Sequence, residues 1–188
     1  MWFDLVGFDM SQVSSVSDLP KDNNHVYHLT SARNEHDILV EGIKSSPTVG
    51  KWRRVNDFLR LVRDEESITV GLDDRSECVF CFARFGDISS LSGENMVFAV
   101  DLRELDSTAY RASYHKVTRV NEVLQDKSAM SVEDAFESRI VDADLMEAYE
   151  LSVAYWNGME RVCTPVNKGG EIIVSGDIPA HSITTYTK

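Results

Sequence analysis

Apolar residues recur along this chain with two spacings, and the switch between them marks out its elements. Val26-Tyr27-His28-Leu29-Thr30 is a short β-prone run. Ser31 follows as a helix N-cap candidate, Ile38 and Leu39 cover one helical face, and Gly42 is the expected stop. Val55, Phe58, Leu59 and Val62 sit at helical spacing and predict a second helix. Glu77 to Phe82 and Met96 to Leu102 read as strands, the latter entered through Gly93-Glu94-Asn95. Residues 117–124 fit neither period cleanly. From Ser131 to Trp156 the pattern is helical again, with Ser131 three residues before Asp134 in the manner of a capping box. Val132, Ala135, Phe136, Ile140, Leu145, Tyr149 and Val153 form one expected buried stripe, broken near Asp142-Ala143-Asp144. Lys168-Gly169-Gly170 turns the chain into a strand, Glu171-Ile172-Ile173-Val174, and one or two further strands run to Tyr186. Residues 9–24, rich in Ser, Asp and Asn and containing Pro20, read as a surface loop, so that 1–24 is expected as a loosely held arm.

Helices and strands mix without a regular βαβ alternation, which predicts an α+β fold over a single domain, 1–188. The length of 188 residues, the hydrophobic fraction of 43% and the charged fraction of 27% suit one globular domain. No apolar run approaches the roughly 20 residues that span a bilayer, so no membrane partner is expected. The opening Met1-Trp2-Phe3-Asp4 is acidic and lacks a basic n-region, which points to the cytoplasm. An odd number of cysteines, Cys78, Cys81 and Cys163, argues against a secreted disulfide framework. Cys78-Val79-Phe80-Cys81 has CxxC spacing, but it lies in a β-type run with no second pair to complete a zinc site, and no metal is expected.

Charge narrows the partners. At a net charge of −12 the surface repels phosphate backbones, and no long basic cluster offsets it. Lys51-Trp52-Arg53-Arg54, with Arg60 and Arg63, reads first as the solvated face of a helix. An acidic surface also suits a salt-rich cytoplasm, where screening weakens the argument against nucleic acid.

GxSxG, Walker A and GxGxxG are all absent, which removes the commoner hydrolase, nucleotide-triphosphatase and Rossmann readings. His25, His36, His115 and His181 make no metal-ligand spacing. Two residues remain. His28, before the loop that opens a helix, presents a donor and an acceptor to a sugar hydroxyl, or else is a half-buried histidine bonded to a carbonyl. Glu171 opens a strand after two glycines, where a carboxylate stabilises an oxocarbenium-like cation, or else is simply solvated.

Together they resemble a family. Tyr27-His28-Leu29-Thr30, then Asn34, Ile38-Leu39 and Gly42-Ile43, is similar to the opening motif of ADP-ribosyltransferase-fold proteins, and within that fold to the DarT-like group that modifies DNA. Gly170-Glu171-Ile172-Ile173-Val174, with Ile178-Pro179 and Ile183, resembles the last motif, a catalytic Glu on a strand. The likeness covers about a quarter of the chain, at its two ends. It implies split β-sheets around an NAD cleft with flanking helices, and an NAD-dependent transferase that moves ADP-ribose to a nucleic acid or protein. It further implies that His28 and Glu171 are catalytic, that the Leu29 backbone meets the nicotinamide carboxamide, and that His28, Thr30 and Asn34 bind ribose and phosphate groups. NAD enters as substrate, without a metal.

The middle departs from the pattern. Relatives place a Tyr, or a Ser/Thr, on the second key strand to stack on nicotinamide, where this chain has Arg75-Ser76-Glu77-Cys78-Val79-Phe80-Cys81-Phe82. Phe82 or Phe80 supplies an aromatic face instead, and Arg75 or Arg84 a charge for the pyrophosphate. The missing Tyr keeps open a catalytically silent domain that binds NAD, ADP-ribose or a protein partner. An acidic protein-interaction domain that mimics nucleic acid is the third reading.

Overall fold

Neighbouring strands run antiparallel throughout this sheet except at one edge. The structure is a computed structural model and describes residues 11–13, 15–45, 51–72, 74–84, 94–162 and 169–187. Its strands are β1 (Ser11–Gln12), β2 (His25–Ser31), β3 (Cys78–Phe82), β4 (Asn95–Asp101), β5 (Ala109–Ala112), β6 (Glu160–Arg161), β7 (Glu171–Ser175) and β8 (Ile183–Thr187). They form one sheet in the order β1-β8-β4-β2-β3-β7-β5-β6, with β1 parallel to β8. The helices are α1 (Glu35–Glu41), α2 (Lys51–Glu65), α3 (Tyr114–Asp126), α4 (Val132–Ser138) and α5 (Ala143–Asn157). The architecture is α+β.

The sheet has a seam. β2 pairs with β4 along its whole length, His25 opposite Asp101 through Ser31 opposite Asn95. β3 pairs with β7 from Cys78 opposite Ser175 to Phe82 opposite Glu171. Between β2 and β3 only Tyr27 and Phe82 pair. Beyond that point the strands part, so one ladder is nearly two. The expected split is thus a continuous sheet with a single-pair junction.

Alternate residues of β7 show how the layers divide, because successive side chains on a strand face opposite ways. Ile173 belongs to a core with Val55, Phe58, Leu59, Val120, Leu145 and Trp156, where α2 to α5 cover one face. Ile172 and Val174 belong to a second core with Ile38, Val79, Phe98 and Ile178, covered by α1. Gly42 ends α1 at φ +83°, a left-handed conformation that favours glycine. The chain then forms a two-way bridge, Ile43 N–H to the Ile178 carbonyl and Ile178 N–H to the Ile43 carbonyl, both 2.8 Å.

Four expectations change. Residues 117–124 lie inside α3, which Ser113 caps through the Lys116 amide at 3.5 Å. Its buried positions, Val117, Val120, Val123 and Leu124, are helical in spacing but β-prone in type, which blurs the period. β5 was invisible because Ala-Tyr-Arg-Ala is short and weakly β-prone; pairing with β7 and β6 makes it a strand. Ile140, expected in the buried stripe, is 76% exposed. It falls in the connection between α4 and α5, where Asp142 caps the Asp144 and Leu145 amides at 3.0 and 3.2 Å. The arm expected over 1–24 is docked from Ser11 onward: β1 joins the sheet, Leu19 is buried, and Tyr27 donates its hydroxyl to the Pro20 carbonyl. Residues 1–10 and Cys163 lie outside the described residues.

Candidate functional site

Where β2 and β3 part, a cavity of about 710 Å³ opens, a size within the roughly 300–1,000 Å³ of ligand pockets. His28, Leu29, Thr30 and Asn34 line it from one side of the seam, and Arg75, Phe82 and Glu171 from the other. The two residues expected to be catalytic and the five others expected to bind the dinucleotide therefore reach one space. Arg84 is not among its lining residues.

His28 bridges the parted strands. Its Nδ1 lies 3.0 Å from the Phe80 carbonyl oxygen. A carbonyl only accepts, so Nδ1 carries the hydrogen and the neutral ring keeps its lone pair on Nε2. Burial lowers the His28 pKa below the ordinary histidine value, against the hydrogen bond to Phe80, and so favours that neutral form. Leu29 packs against the cluster of Leu19, Tyr27, Val97 and Ala99 and also lines the cavity. Asn34 donates to the Thr30 hydroxyl at 2.9 Å, tying the turn before α1 back to the strand.

Glu171 is 6% exposed and Arg75 5%. Arg75 Nη2 donates to Glu171 Oε1 at 2.9 Å and to Oε2 at 2.8 Å. Its Nε donates to the Tyr155 hydroxyl at 2.8 Å, and that hydroxyl donates to Glu171 Oε1 at 3.0 Å. Nη1 donates to the Asn56 side-chain oxygen. Burial works against the Arg75 charge, but the Glu171 carboxylate and Tyr155 beside it outweigh this and raise its pKa. Burial raises the Tyr155 pKa well above the usual phenol value, so the hydroxyl is a neutral donor. The Arg75 guanidinium also lies 4.4 Å over the Phe80 ring. Arg75, expected to face a pyrophosphate, thus has its charge held by Glu171, and Phe80 lies beneath it.

Phe82 meets Tyr114 edge to face, their ring centres 5.8 Å apart. Tyr114 and Trp52 both line the cavity, as do Asp37 and Lys44. Tyr114 thus adds a tyrosine ring to the wall beside Phe82. It opens α3, just before the stretch 117–124 that fits neither period, and no local signal marked it. Lys44 Nζ stands 3.4 Å from Asp177, both half exposed, and Asp177 also accepts the Ser45 amide at 2.7 Å.

Cys78 and Cys81 line the same cavity but cannot act as a pair. Three residues apart on a strand, they face opposite cores, Cys78 with the α2–α5 layer and Cys81 with the α1 layer. Burial pushes their thiols up to about 11 and about 12. Among the described residues no three His, Cys, Asp or Glu side chains come together in a metal-binding group. No described helix is long and apolar enough to cross a membrane. The basic stretch of α2 is partly consumed by packing, since Arg54 donates to the Met130 and Lys127 carbonyls and Arg63 to that of Leu72. No family model, curated protein or solved structure matches the chain, and the site stands on its own geometry.

Proposed function

We propose that this chain is an NAD-dependent ADP-ribosyltransferase of the cytoplasm, with an ADP-ribosyltransferase-like arrangement of its sheet around the cavity. The observation that carries the reading is the meeting of His28 and Glu171 in one cavity at the seam, although 142 residues of chain lie between the two. In this reaction the bond from the ribose anomeric carbon to nicotinamide breaks, and its electron pair leaves with neutral nicotinamide. The sugar carries the developing positive charge. Glu171 faces that charge, while His28 and the Leu29 main chain orient the dinucleotide. A nucleophile of the macromolecular acceptor, nucleic acid or protein, then attacks the anomeric carbon and loses its proton.

NAD labelled on its adenylate half tests this, with wild type and Glu171→Gln compared in cell extract at low and high salt. Glutamine is preferred to alanine because it keeps an acceptor opposite the buried Arg75. Label on a macromolecule with wild type alone is expected, and its sensitivity to nuclease or protease identifies the acceptor. Absence of both label transfer and nicotinamide release in every condition overturns the reading.

One observation favours a second reading, a catalytically silent domain that binds NAD or ADP-ribose: the Glu171 carboxylate is already held by Arg75 on both oxygens. That reading predicts NAD binding by calorimetry with no nicotinamide released.

A further inference from the structure

Behind the cavity wall, the hydrogen bonds around Glu171 have only one consistent direction. Arg75 Nε can only donate, so the Tyr155 oxygen must accept from it at 2.8 Å. The single phenol hydrogen therefore points to Glu171 Oε1, 3.0 Å away. Oε1 then takes two donors, this hydroxyl and Arg75 Nη2. Among the described residues Oε2 takes one, Arg75 Nη2 at 2.8 Å. A carboxylate oxygen accepts about two hydrogen bonds, so Oε1 is full and Oε2 retains one place. Tyr155 is fully buried on α5 and does not line the cavity, whereas Glu171 does. Asn56, on α2, holds the far arm of the same guanidinium.

We infer that Tyr155 is a positioning residue: it saturates Oε1, so that Glu171 meets the substrate through Oε2 alone, in one orientation, with one hydroxyl. Asn56 supports this by fixing Arg75. The inference rests on the transferase reading, in which the partner of Oε2 is a hydroxyl of the nicotinamide ribose. The helical layer then does more than close the core; it sets the rotation of the carboxylate about its own axis. Without the phenol hydrogen, Oε1 and Oε2 become equivalent acceptors, and Arg75 Nε is left as a buried donor with no partner. A carboxylate free to turn loses the preorganisation that favours the charged transition state over the bound ground state.

The test is steady-state nicotinamide release from NAD by wild type, Tyr155→Phe and Ala148→Gly. The last loosens α5 without touching the network and controls for a loss of stability. Tyr155→Phe is expected to lower kcat on the order of tenfold to a hundredfold with KM for NAD little changed. Ala148→Gly is expected to keep its kcat well below its melting temperature. Fluorotyrosine at position 155 keeps the ring and the fold while strengthening the donor, and is expected to shift kcat several-fold. Wild-type kcat in both Tyr155 variants, or a change confined to KM, overturns the positioning role and leaves the transferase reading standing. No release by wild type, with cell extract present as the source of acceptor at low and high salt, overturns both.

Discussion

His28 and Phe80 sit on strands that have parted, yet the imidazole Nδ1 lies 3.0 Å from the Phe80 carbonyl oxygen and spans the gap that a ladder bond would have filled. The ring thus ties the two strands together beside their single pair while it lines the cavity. Its stabilising role and the chemical role proposed for it depend on the same neutral tautomer.

That tautomer makes stability depend on pH in a definite direction. Burial holds the His28 pKa in the folded chain below 6.5, so between the two values the unfolded chain binds the extra proton. The His28 contribution is complete above about pH 6.5 and is lost as pH falls through that value, levelling off below the folded pKa. Urea midpoints taken from pH 8 to pH 5 are expected to fall for wild type and to flatten in this window for His28→Gln. An equal slope in both proteins rejects the assignment.

The Arg75–Glu171 pair gives a stability prediction that needs no assay of function. Removing either partner leaves a buried charge without its counter-charge, at a cost of about 3–5 kcal/mol. Arg75→Met and Glu171→Leu are each expected to lower the unfolding free energy by that order. The double variant should be less destabilised than the sum of the two, since neither charge remains. Denaturant melts of the four proteins form the cycle, and additive losses would show that the pair is not coupled.

Gly42 is expected to tolerate no side chain. At φ +83°, an added Cβ would stand 2.2 Å from the Ile178 carbonyl oxygen and 2.8 Å from the Ala180 nitrogen. Both contacts are to backbone, so relief requires breaking the bridge between Ile43 and Ile178. Gly42→Ala should cost more than the roughly 1 kcal/mol of a simple left-handed glycine. Because Gly42 lines the cavity, ligand-free amide exchange at Ile43 and Ile178 should quicken as well. Unchanged melting would contradict this packing.

Neither cavity cysteine should behave as a redox thiol. With their pKa values pushed up to about 11 and about 12, Cys78 and Cys81 hold almost no thiolate at pH 8. Peptide mapping after brief iodoacetamide treatment should find both unmodified in the native protein and modified in urea. A Cys78–Cys81 disulfide after mild oxidation would refute their opposite facing.

The parts of this molecule legible in its sequence are those governed by neighbours along the chain. Ser31, Gly42 and Ser131 act through amides or φ angles within three residues, and the runs at 26–30, 96–102 and 171–174 are short stretches of β-prone residues that became strands. His28 and Glu171 stood out because each lies beside such a signal. What stayed hidden depends on distant contacts. Tyr155 reaches Arg75 across 80 residues, and nothing in the local pattern of α5 separates it from a core aromatic. Arg75 read as a charge for the pyrophosphate because its actual partners come from α2, α5 and β7, far away in the chain. Tyr114 and β5 were missed for the reverse reason, since weak local propensity gave way to pairing and packing.

The strand order has a consequence for biosynthesis. β8 lies inside one half of the sheet, between β1 and β4, and β7 inside the other, between β3 and β5. Both strands fall within the last stretch of the described chain, 171–187. A nascent chain on the ribosome therefore holds two incomplete half-sheets with unpaired edges until these residues emerge, a high contact order that slows folding. Glu171 arrives with that final stretch, so the cavity acquires its carboxylate only as the sheet closes. Chains that stop short of residue 171 carry His28 but no acid at the cavity, so the chemistry proposed for this site is withheld until that segment has been made.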